Sequence, residues 1–190
     1  MPRSEAPSTA DPQLHLDTNT STGGPGGVKP PGASQGSITP EPLTQTAFAP
    51  FGDVLDTSGP YRLINAGLCH RHHDLARIDT GHQTGISIFH AEPRTLPYEF
   101  NLIERHPEGS QAFLPMTEHP FLVIVAASPA HRPKAFLTNG AQGINLHKGT
   151  WHGVLTPLHA PGLFAVVDRI GSTPNLEEHR YATPWIVTTA

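Results

Sequence analysis

A chain of 190 residues with a formal charge of -4 has room for one ordinary domain plus a tail, and it lacks the clustered basic face that a nucleic-acid surface needs. The single cysteine, Cys69, excludes an internal disulfide and reads as a buried, inert thiol in a reducing compartment. No apolar run approaches the roughly 20 residues that span a bilayer, and the N-terminus has no secretory apolar core, so the expected compartment is the cytoplasm.

Residues 1–42 contain no aromatic side chain and are rich in Pro, Gly, Ser and Thr. Such a segment buries too little apolar surface to offset its chain entropy, and it is expected to be a disordered extension. The ordered domain is placed at 43–190. It begins with a helical turn after Thr44, whose hydroxyl suits an N-cap, and a first short strand over Phe51 to Leu55. The stretch Ile64 to Leu75 mixes Asn65, Arg71 and His73 with glycine and further histidines. It reads either as a source of anion-binding and proton-transfer groups or as a solvated loop or short helix.

From Gly85 the pattern turns period-two, with Ile86 and Ile88 on one face. Phe121 to Ala127 is a continuous apolar run, the pattern of a strand covered on both faces. Asn139-Gly140 ends a further strand at a turn. Asn175 to Arg180 reads as a short terminal helix capped by Asn175. Many short strands, frequent Gly and Pro and scarcely any helical periodicity predict an all-β chain folded as a jelly-roll barrel.

Two stretches carry the chemistry. In Glu104-Arg-His106-Pro-Glu-Gly-Ser-Gln111, side chains two apart on an extended strand share a face, so Glu104 and His106 look into one space, and Gln111 can return to it after the Pro107–Gly109 turn. The second is Asn145-Leu-His147-Lys148-Gly-Thr-Trp151-His152. On strand alternation Arg105 points away from Glu104 and His106, and Trp151 points away from His152 and into the core. His147 is read as a satisfied, buried polar residue inside the barrel, and Asp168-Arg169 either as an ion pair at a strand end or as a substrate contact.

These stretches can be laid on the paired motifs of the cupin superfamily, with Glu104 where that pattern has its first His, Gln111 in the place of its Glu, and His152 closing the second motif. Phe48-Ala-Pro-Phe-Gly-Asp-Val54, Ile64-Asn-Ala-Gly67, His73-Asp-Leu-Ala76, Ile86-Ser-Ile88, Leu102 to Pro115, Asn145 to His152 and Val167-Asp-Arg169 together resemble the ureidoglycolate lyases of allantoin degradation, from about Leu43 to Glu178.

That resemblance implies a cupin-like barrel that cleaves (S)-ureidoglycolate to glyoxylate and urea. It implies His106, His152, Glu104 and Gln111 as catalytic groups, and the same four as ligands of an optional or loosely held divalent metal such as nickel, manganese or zinc. Arg71, Lys148, Asn65 and His73 are the expected substrate contacts. The expected partners are a small-molecule substrate and a second copy of the chain as a homodimer, with no nucleic acid or membrane. Two other classes stay open on the residues: a metal-dependent cupin oxygenase or isomerase, and a non-catalytic barrel that binds a small acid.

Overall fold

The computed structural model describes residues 34–189 except His82. The strands in chain order are β1 (Gly36–Ile38), β2 (Glu41–Pro42), β3 (Gly52–Leu55), β4 (Arg62–Ile64), β5 (Cys69–Arg71), β6 (Gln83–Ala91), β7 (Tyr98–Arg105) and β8 (Gln111–Pro115). They continue with β9 (Phe121–Ala126), β10 (Lys134–Leu137), β11 (Gly143–Leu146), β12 (Trp151–His152), β13 (Thr156–Pro157), β14 (Gly162–Ile170) and β15 (Glu177–Val187). One helical turn, α1 (Gln45–Phe48), follows Thr44, whose hydroxyl accepts from the Ala47 N–H at 3.3 Å as the cap expected there. No helix among the described residues is long and apolar enough to cross a membrane.

Two sheets make the all-β barrel. The larger runs β1-β15-β7-β12-β9-β10-β2, with β13 also on β9, and the smaller runs β3-β11-β8-β14-β6. Between them lies a core of Phe48, Phe51, Val54, Phe113, Phe121, Val123, Val125, Phe136, Ile144, Leu146, Phe164 and Val166. The alternate residues of β9, Leu122, Ile124 and Ala126, join a second cluster with Phe100, Ile103, Tyr181, Trp185 and Val187. All six residues of β9 are therefore buried, as a continuous apolar run requires.

Three expectations change. Order begins before Leu43: β1 pairs parallel with the end of β15, and β2 pairs parallel with β10, so residues within the expected extension belong to the larger sheet. Main-chain pairing, together with burial of Ile38, holds this segment despite its poor composition. The rest of that extension, residues 1–33, lies outside the described residues. Asn175 to Arg180 does not form a helix, because Glu177 to Arg180 pair with Arg105 to Leu102 and a sheet partner overrides the local cap signal. Cys69 is half-buried and free rather than fully enclosed.

Candidate active site

The barrel brings Glu104 and His152 directly opposite each other. β12 pairs antiparallel with β7 at the register His152↔Glu104, so the two side chains leave the same face of the larger sheet. His106 follows two residues after Glu104 and reaches the same space. Glu104, His106 and His152 each offer one ligand atom, and the three atoms lie within 4.8 Å of one another. The His106 and His152 rings are 5.4 Å apart, centroid to centroid.

Hydrogen bonding sets how these imidazoles face the site. His106 Nδ1 lies 2.6 Å from the carbonyl oxygen of Asn175, and His152 Nδ1 lies 2.9 Å from that of Gly153. A carbonyl can only accept, so Nδ1 carries the hydrogen in both rings and Nε2 of the neutral ring is left with a bare lone pair. Both Nε2 atoms are buried and have no hydrogen-bond partner. Unpaired buried nitrogens are costly, and two of them beside a carboxylate fit a divalent cation.

Burial tunes the charges. His152 is 3% exposed, and one wall of its surroundings is an apolar recess lined by Phe113, Phe121, Ile144, Leu146 and Leu155. Loss of hydration, then the neighbouring His106, lowers its pKa to about 4, so the ring is neutral at pH 7. Glu104 moves the other way. Desolvation raises its pKa, His106 partly counters this, and Glu178, paired across from Glu104 in β15, raises it further. A carboxyl held above its ordinary range takes up a proton more readily than a free one, which suits it to proton transfer.

The other expected residues are placed as follows. Gln111 is buried in β8 of the smaller sheet, and its amide nitrogen donates to Asp168 at 3.3 Å. Lys148 is exposed in the turn between β11 and β12, where the next residue's N–H, Gly149, donates to the His106 carbonyl at 2.9 Å. Asn65 and Arg71 are exposed on the β4–β5 hairpin, which forms a two-stranded sheet of its own, and His73 follows it with Nδ1 3.4 Å from the Arg71 carbonyl. No hydrogen bond or ion pair among the described residues joins these three to Glu104, His106 or His152. Arg105 is held by Glu177 at 2.6 Å and lies over the Trp151 ring at 4.9 Å, facing away from the site as strand alternation requires. His147 pairs with Asp53 at 3.2 Å, but its side chain is exposed and not enclosed in the barrel as expected, because it starts the turn that leaves β11. Arg169 pairs with Glu108 rather than with Asp168.

Three contributors carry no sequence signal at the positions where they act. Asn175 and Gly153 serve the histidines through main-chain carbonyls, which any residue type provides. Glu178 acts only because β15 lies beside β7, a pairing hidden by the helix-like Asn175-Leu-Glu-Glu start.

Comparison with known proteins bears on this arrangement directly. The family model described as ureidoglycolate lyase matches residues 35–188. A ureidoglycolate lyase of Rhodobacter capsulatus is 56% identical over 153 residues, covering 77% of this chain and 95% of that protein. One of Burkholderia mallei is 47% identical, covering 75% and 88%, and ureidoglycolate lyase 2 of Rhizobium meliloti is 46% identical, covering 77% and 94%. The matched span begins at the first strand of the barrel and contains every residue of the Glu104, His106 and His152 cluster, and on that evidence the chain belongs to the ureidoglycolate lyase family.

Proposed function

We propose that this protein is a carbon–nitrogen lyase that cleaves ureidoglycolate to glyoxylate and urea at the Glu104, His106 and His152 cluster. The observation that carries the reading is the convergence of a carboxylate with a raised pKa and two bare imidazole nitrogens in a chain of the ureidoglycolate lyase family. The substrate is a hemiaminal in which one carbon bears a hydroxyl, a carboxylate and a urea nitrogen. Cleavage removes the hydroxyl proton, forms the aldehyde C=O and breaks the C–N bond, and the departing nitrogen takes up a proton. Glu104 accepts the hydroxyl proton and returns it to the urea nitrogen, since one carboxyl can serve both halves of the transfer.

His106 and His152, through Nε2, together with one oxygen of Glu104, would hold a divalent ion, with nickel, manganese and zinc all suited to two nitrogens and an oxygen. When bound, such an ion supplies Lewis acidity that lowers the pKa of a hydroxyl group. Gln111 takes a supporting place, holding Asp168 or reaching the urea oxygen. Exhaustive chelation is expected to lower glyoxylate release at least tenfold, with recovery on adding one of these ions. Full activity after chelation would remove the metal from the reading, and no glyoxylate from the untreated protein would remove the lyase itself.

Lys148 is the cation we assign to the substrate carboxylate, because its turn is tied to His106 through the Gly149 N–H. Asn65, Arg71 and His73 lie on the separate hairpin and are secondary candidates. Lys148→Ala is expected to raise KM about tenfold with kcat within about twofold, the signature of lost uniform binding. An unchanged KM in steady-state kinetics would move the carboxylate contact elsewhere. The outer strand β6, with Ile86 76% and Ile88 59% exposed, supports a homodimer formed through this edge of the smaller sheet.

A further inference from the structure

We infer that residues 171–175 form a positioning element for His106, tied down by a clamp of Arg169, Thr173 and Glu108. The inference rests on the reading of Glu104, His106 and His152 as the active site, and it adds residues that act on the site through another group. Asn175 grips the His106 turn twice. Its carbonyl accepts from His106 Nδ1–H at 2.6 Å, and its side-chain oxygen accepts from the Glu108 N–H at 2.7 Å. The first contact fixes the imidazole tautomer, and the second fixes the backbone that carries the ring.

The segment holding Asn175 has no regular structure, and residues 171–174 are exposed. Sheet pairing, which starts at Glu177 opposite Arg105, anchors Asn175 only from its C-terminal side. The clamp holds it from the other side. The Arg169 side chain is 4% exposed, and its NH2 forms an ion pair with the Glu108 carboxylate at 2.8 Å and donates to the Thr173 hydroxyl at 2.6 Å. That hydroxyl in turn donates to the Glu108 carboxylate at 2.6 Å. One ion pair and two charge-assisted hydrogen bonds thus join the strand end at Arg169, the irregular segment at Thr173 and the turn after His106. A Cβ at Gly171 would run into the Arg169 guanidinium and displace it from the clamp.

The order of action is then clear. Arg169 and Glu108 hold Thr173, Thr173 holds the segment, and Asn175 holds His106 with Nε2 bare and directed to the space shared with Glu104 and His152. Loosening the clamp frees the ring to take either tautomer, and the tautomer with a hydrogen on Nε2 cannot serve as a ligand there.

The test uses the full chain carrying Thr173→Val and Asn175→Ala together, with Thr173→Ser as the conservative control that keeps the hydroxyl. Nitrogen-15 NMR of the metal-free protein reads the His106 tautomer, and titration with Co(II) alone, followed by visible absorption, reads affinity. Intact protein and Thr173→Ser are expected to show one Nδ1–H tautomer and the same cobalt affinity within about twofold. The double variant is expected to show mixed tautomers and cobalt binding weaker by about tenfold. A double variant with a single Nδ1–H tautomer and unchanged cobalt affinity overturns the proposal, even if its melting temperature falls, because a merely structural segment would give that result. The tautomer is read without metal or substrate, so a failure of the lyase reading, seen as no turnover by the intact protein, is recorded separately.

Discussion

Glu104→Gln is expected to lower kcat for glyoxylate release by about three orders of magnitude, within the range for loss of a positioned acid–base group. The amide keeps the size of the side chain and a carbonyl oxygen, a weaker ligand for a divalent ion than the carboxylate, and it cannot take up the hydroxyl proton. KM should change little, because the substitution removes an interaction made in the transition state. The same change should leave the fold intact and somewhat more stable above pH 7. Glu104 faces Glu178 across the β7–β15 pair and is penalised by burial when charged, and the neutral amide relieves both effects. A variant that is folded, more stable and nearly inactive identifies a group kept for chemistry rather than stability. A kcat within about threefold of the intact enzyme, measured on protein with unchanged circular dichroism, would take the proton transfer away from Glu104.

The second large effect is on stability in mild acid. His152 has an ordinary pKa of 6.5 when unfolded and about 4 in the barrel, so between these values the unfolded chain binds the extra proton. Stability from this group is complete above about pH 6.5 and is lost as pH falls toward 4. The full difference is about 3 kcal/mol, of which about 2 kcal/mol is lost between pH 7 and pH 5. Glu104 has the opposite sign: its raised pKa lets the native state hold a proton that the unfolded chain has released, so its contribution falls as pH rises through the folded value. The two partly offset each other in the intact protein, and His152→Gln isolates the first. Urea unfolding of metal-free protein at pH 7 and pH 5 should show a drop for the intact chain that exceeds that of His152→Gln by about 2 kcal/mol. Equal drops would mean that His152 is not held neutral by its surroundings.

The sequence speaks most clearly where one strand decides the outcome. Glu104 and His106 are two apart, and an extended backbone puts them on one face whatever else the fold does. The buried run of β9 announces a strand covered on both sides, and Thr44 caps its helical turn through a contact only three residues long. What depends on a remote partner is hidden. Gln111 follows the turn after His106, yet it belongs to the other sheet, where Asp168 of β14 takes its amide hydrogen. Glu41-Pro42 carries almost no strand signal and becomes a strand because β10 offers a free edge beside it. Asn175-Leu-Glu-Glu has the local chemistry of a helix start, and pairing with β7 turns its continuation into β15. The histidine tautomers are least visible of all, since main-chain carbonyls set them.

The most direct measurement is glyoxylate release from ureidoglycolate by the intact protein beside a His106→Ala/His152→Ala variant shown to be folded. Turnover by the intact chain and a loss of at least about a thousandfold in the variant are expected, since both bare nitrogens of the pocket are gone. Equal turnover by the two proteins would place the chemistry outside the Glu104, His106 and His152 pocket, and no turnover by the intact chain would contradict the lyase itself.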